Sequence, residues 1–100
     1  MKPEEEIFTL LIGKEKLGEL KGCEVDGQWL NGSFEQTPLF QKYKKFFTDE
    51  EKWDDNDKEL DNIIEGIYSK GLFLIDKSGR TFTRKEFKLY IDENTASLRL

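Results

Sequence analysis

VDGQWLNGSF, Val25 to Phe34, holds two dipeptides that favour tight hairpin turns, Asp26-Gly27 and Asn31-Gly32. Both cannot close hairpins, because only Gln28, Trp29 and Leu30 would be left between them. If Asp26-Gly27 is a two-residue loop, its left-handed residues suit the twist of the flanking strands. Val25 then faces Gln28, and Cys23 faces Leu30. Leu30, Gly32 and Phe34 keep one parity straight through the second dipeptide, and a turn there would break it. The turn is therefore expected at Asp26-Gly27. Asn31-Gly32 is expected inside a strand, as a bulge or a close backbone approach. Trp29 then points to the face opposite Cys23 and Leu30.

Upstream of the turn, Leu17 to Val25 reads as the partner strand. Leu20 has the opposite parity to Cys23 and Val25, so a bulge is expected near Lys21-Gly22. Before it, Glu6 to Ile12 reads as a strand with Phe8, Leu10 and Ile12 on one face and Ile7 and Leu11 on the other. Apolar residues on both faces suggest a strand covered on both sides. Lys14 to Lys16 would be the turn between these two strands.

Downstream, Thr37-Pro38 has the form of a helix start, with Thr37 as N-cap and Pro38 in the first helical position. Leu39, Phe40, Tyr43, Phe46 and Phe47 follow as one apolar stripe. Thr48-Asp49-Glu50-Glu51 is a capping-box pattern. A second helix is expected from about Asp55 to Ser69, with Leu60, Ile63, Ile64, Ile67 and Tyr68 as its stripe and Gly71 ending it. Leu72 to Ile75 reads as a short strand, Asp76 to Gly79 as a turn, and Arg80 to Thr83 as another strand. The phase shifts near Arg84-Lys85. With Glu93-Asn94 as a loop, Ile91 faces Ala96, Leu89 faces Leu98 and Phe87 faces Leu100, three apolar pairs in one register. The expected fold is α+β: a meander-like antiparallel sheet of about six or seven short strands with two central helices packed on one face, in the order βββ-αα-ββββ. Residues 1–100 are expected to form a single domain.

Composition removes several chemistries. There is no histidine, which excludes Ser-His and Cys-His nucleophile pairs and the commonest transition-metal ligand. One cysteine, Cys23, allows no internal disulfide, and its parity opposite Leu30 makes it a small core residue. An EF-hand template started at Asp54 finds Asn56 in place. It fails at Lys58 in the fifth position and at Glu59 where glycine is needed. The glycines are spread at intervals that suit strands and turns, and none forms a phosphate-binding loop. No catalytic residue, metal or cofactor is expected, and the chain is not expected to be an enzyme. The segment MKPEEEIFTLLIG starts acidic and has a short apolar run, unlike a signal peptide, and nothing approaches the ~18 apolar residues of a membrane span. No membrane association and a cytoplasmic location are expected.

Charge is the remaining feature. Net charge is −5, and residues 46–66 carry nine acids against two lysines. Such a run is commonly a solvated helix face, and the alternative is a docking face for a basic partner, steered by long-range charge. Trp53, Asp54, Asp55, Asp57 and Asp61 are the candidate binding residues there, Trp53 reading first as a staple of the helix junction, with Trp29 as a separate aromatic anchor or a residue covered by a helix. Residues 77–91 carry five bases against Glu86, and in the final hairpin Lys88 would lie across from Arg99 with Tyr90 beside them. That is a nucleic-acid motif in outline. It lacks an aromatic set of the RNA-binding kind, and the chain is acidic, so no nucleic-acid partner is expected. The expectation is a non-enzymatic protein-binding module of the inhibitor, immunity-factor or adaptor kind. The alternative is a self-associating structural protein, a homodimer through a strand edge or the opposed charge patches.

Overall fold

The computed structural model describes residues 6–48, 53 and 56–100, and most of them lie in sheet. The strands are β1 (Phe8–Ile12), β2 (Glu15–Asp26), β3 (Trp29–Gln36), β4 (Leu72–Ile75), β5 (Thr81–Thr83), β6 (Lys88–Asp92) and β7 (Thr95–Arg99). They form one sheet in the order β5-β4-β1-β2-β3-β7-β6, with every pairing antiparallel, curled into a half-barrel. Among the described residues there is one α-helix, α1 (Lys58–Lys70).

This overturns the expected arrangement of two central helices in the order βββ-αα-ββββ. The stretch read as the first helix forms two 3₁₀ turns, Pro38–Lys42 and Lys44–Phe47. Its backbone bonds span three residues: Phe40 N–H donates to the Thr37 carbonyl, Tyr43 to Phe40 and Phe46 to Tyr43. Two physical causes are visible. Aromatic residues are indifferent helix formers, and this stretch is rich in them. Thr37 is also tied back to β2, its N–H bonding the Leu17 carbonyl at 2.9 Å and its hydroxyl the Lys16 carbonyl at 2.8 Å. The tightly wound chain lays Phe40, Tyr43 and Phe47 into the core. Of the capping-box pattern, Asp49, Glu50 and Glu51 lie outside the described residues.

α1 starts later than expected. Asp57 is its N-cap, accepting from the Leu60 N–H at 3.1 Å, and Gly71 closes it at φ 85°. Leu60, Ile63 and Ile67 are buried, whereas Tyr68 is exposed, with the Arg84 guanidinium 4.4 Å above its ring.

The hairpin within Val25–Phe34 turns one residue further along than expected. Asp26 pairs with Trp29 and Val25 with Leu30, so the two loop residues are Gly27 and Gln28. Gly27 has φ 61°, and the only described non-glycine residue at positive φ is Glu93. A left-handed first position followed by an ordinary second one is the Gly-X hairpin pattern, in which the glycine leads. Beyond it, Glu24 pairs with Asn31 and Lys21 with Ser33, leaving Gly22 and Cys23 opposite Gly32. This is the bulge expected near Lys21-Gly22, with Gly22 at φ 63°. Gly32 is the close approach: a Cβ there would lie 2.4 Å from the Lys21 carbonyl oxygen.

The concave face holds the core. Phe8, Leu10, Ile12, Leu17, Leu20, Cys23, Phe34, Leu72, Leu74, Phe82, Leu89, Ile91, Ala96 and Leu98 point inward and are capped by the 3₁₀ turns and α1. The final hairpin has the expected register, with Leu89 on Leu98 and Ile91 on Ala96. The pairing of β3 with β7, Leu30 on Leu98 and Gly32 on Ala96, joins that hairpin to the first three strands.

Candidate functional site

Because side chains alternate along a strand, each inward residue of β3, β7 and β6 has an outward neighbour. The outward set forms rows across four strands. Asn31 sits between Glu24 on β2 and Ser97 on β7, and Ser97 pairs on with Tyr90 of β6. One row along, Trp29 pairs with Asp26, and Arg99 pairs with Lys88. On the other side, Ser33 lies between Lys21 and Thr95, and Thr95 pairs with Asp92.

Trp29 and Tyr90 meet across β7, with ring centroids 5.6 Å apart and planes tilted by 31°. Ser97 lies on the strand between them and is small enough to leave the rings room. The Arg99 guanidinium stands 5.6 Å from the Trp29 ring. Asp26, Trp29, Asn31, Tyr90 and Ser97 line a shallow depression of about 310 Å³. Among the described residues, ion pairs engage Lys16, Lys21 and Lys45, and none involves Glu24, Asp26, Lys88 or Arg99. Like charges directly opposite in a ladder repel, so the Lys88–Arg99 pairing costs the fold a little.

The structure places the candidates from the sequence in different regions. Trp29 lies on the outer face of the sheet, with Tyr90 and Arg99. Trp53 lies among the elements that cap the core, its ring 5.7 Å from Phe46 and its indole N–H donating to the Thr48 hydroxyl at 3.2 Å. Asp57 is engaged by α1 and by Lys45 Nζ at 3.0 Å, and Glu59 reaches the same ammonium at 3.0 Å. The Leu60 N–H, then Lys45, hold the Asp57 carboxyl below its usual range. Asp61 is exposed in the first turn of α1. Asp54 and Asp55 lie outside the described residues.

Cys23 is buried, and burial pushes its thiol up, which makes it a poor nucleophile. Among the described residues no group of three or more acidic or cysteine side chains is placed to hold a metal. Nor does any described helix have the length and apolarity to cross a membrane.

No protein-family model matches the chain, and neither a curated protein nor a solved structure matches it. The site therefore rests on its geometry alone. That geometry offers a stacking surface bordered by exposed charges of both signs. Asn31 and Ser97 were absent from the sequence-level candidates. The alternation Trp29, Asn31, Ser33 carried a faint signal, but nothing local says that β3 pairs with β7.

Proposed function

We propose that this chain is a non-enzymatic binding module whose open sheet face engages another protein, with Trp29 as the anchor. The observation that carries this reading is the Trp29–Tyr90–Arg99 cluster on the face that neither α1 nor the 3₁₀ turns cover. Trp, Tyr and Arg are the residues that most often dominate binding energy at protein interfaces. The border of the platform favours a protein over an extended nucleic-acid strand. Asp26 and Glu24 stand at the β2 side, so no continuous basic track runs past the rings.

The test is a capture experiment with purified protein on cell extract, comparing wild type, Trp29→Ala and Asp61→Lys. A retained protein is then purified and its affinity measured by calorimetry. Loss of the anchor should weaken binding about 30-fold or more, the scale of a hot spot, with the circular dichroism spectrum unchanged. Asp61→Lys should leave the affinity within about threefold. Equal affinity for wild type and Trp29→Ala would remove the open face from the account. Loss on Asp61→Lys alone would move the site to the acidic helix.

A further inference from the structure

The same face has a property that a one-sided binding surface does not need: its charges are arranged to complement themselves. Across the strands from β2 to β6, one row reads Asp26, Trp29, Arg99, Lys88. Another reads Lys21, Ser33, Thr95, Asp92. The first runs from acid to base and the second from base to acid. Consider a second copy laid face to face by a two-fold axis parallel to the strands and passing between β3 and β7. The axis reverses the order of strands and keeps the rows aligned. Asp26 then faces Lys88 of the second copy, and Lys21 faces its Asp92. Trp29 faces the second copy's Arg99, and the small polar residues Asn31 and Ser97 face each other. Within these three rows every charged position meets its opposite or an aromatic ring, as an isologous contact requires, and Lys21 also keeps its own ion pairs with Glu19 and Glu35.

We propose that a second copy of this chain occupies the open face when no other partner does, so that self-association masks the binding surface. This rests on the reading of that face as a binding surface. It adds a regulatory consequence: a partner must compete with the dimer. Four strands about 4.8 Å apart and three rows about 6.8 Å apart give a footprint of about 400 Å² per copy. That is below the standard size for a stable complex, so the dimer is weak and concentration-dependent.

Sedimentation equilibrium from about 10 µM to about 1 mM measures it on the purified protein. The expected result is a monomer–dimer equilibrium that weakens at about 0.5 M salt. Asp26→Lys and Lys88→Asp should each lower the association constant about tenfold or more, because each puts like charges face to face. The double variant carrying both changes should regain most of it, since the exchanged charges meet again. Both positions are exposed, and circular dichroism checks their folding. Should either variant fail to fold, Lys21→Asp, Asp92→Lys and their combination make the same comparison. A wild type that stays monomeric to about 1 mM overturns the proposal, as does a dimer indifferent to these changes. Rescue of Asp26→Lys by Lys21→Asp would put the two-fold axis perpendicular to the strands and overturn this arrangement. Partner capture that depends on Trp29 from a strictly monomeric protein would sink this inference alone and leave the binding module standing.

Discussion

Gly32 leaves no room for a side chain, and substituting it tests the register at the bulge. An alanine Cβ there would lie 2.4 Å from the Lys21 carbonyl oxygen, 3.2 Å from Leu20 Cδ1 and 3.3 Å from Cys23 Cα. Two of those three atoms are backbone, at the β2 bulge, and cannot rotate away. The strands must part locally, which belongs at the upper end of the overpacking range, about 3 kcal/mol. Gly27→Ala is the control. Its Cβ would meet nothing within 4 Å, and only the left-handed φ of 61° is unfavourable. That change should cost about 1 kcal/mol. Urea unfolding followed by circular dichroism reads both. With a slope of about 1.5 kcal/mol per molar, Gly32→Ala should lower the midpoint by about 2 M and Gly27→Ala by about 0.7 M, at constant slope. If Gly32→Ala unfolds within about 0.5 M of wild type, or later than Gly27→Ala, β3 does not cross the bulge as closely as described and the register argument fails.

Three further expectations follow from the packing and the charges. Leu98 is fully buried where β7 meets β3 and β6, so Leu98→Ala should cost about 3–4 kcal/mol in the same urea assay, and a loss under about 1 kcal/mol would contradict its place in the core. Cys23 should react with a disulfide reagent at pH 8 only as fast as the protein opens. A rate near that of a free thiol would show that it is not shielded. The Asp57 carboxyl is held low, so its contribution is complete above its unfolded pKa and is lost as pH falls through the folded one, from roughly pH 4 downward. Asp57→Asn keeps a cap without the charge. The stability gap between wild type and that variant should therefore close as pH falls from about 5 to about 2, and a gap that widens over that window would reverse the assignment.

What the sequence made legible was local. The bulge at Gly22, the close approach at Gly32 and the register of the last hairpin each rest on a parity slip or a run of apolar pairs within a few residues. The turn at Gly27 came out one residue off because Asp-Gly and Gly-Gln both offer a glycine to a two-residue loop. Parity alone could not say whether that glycine comes first or second. The stripe from Leu39 to Phe47 misled for a related reason. Spacings of three and four residues fit an α-helix, but Phe40, Tyr43 and Phe46 also follow a period of three, which is the 3₁₀ repeat. Tethering of Thr37 to β2 decided between them, and that contact spans some twenty residues. The candidate site was half legible. The sequence points to Trp29 and brings Tyr90, Lys88 and Arg99 together, but as two separate features. The ladder that unites them joins residues more than sixty positions apart.

That ladder explains why the fold and the surface are separable. Along β3 and β7, the inward residues Leu30, Gly32, Ala96 and Leu98 carry the packing, and the outward residues Trp29, Asn31, Ser97 and Arg99 make the platform. The two sets interleave at a period of two, so a one-residue slip would put Trp29 into the core and Leu98 into water. Register is therefore held by the cost of that exchange, with the Gly22 bulge and the Gly27 turn as local pins. The outer face is consequently free to vary. Neither the Lys88–Arg99 repulsion nor the half-exposed Trp29 adds what a leucine pair would add to stability. A strand pair selected only for folding would place threonines or opposite charges there. An indole, a phenol, a guanidinium and an ammonium on one patch of the outer face suit the binding role proposed for it.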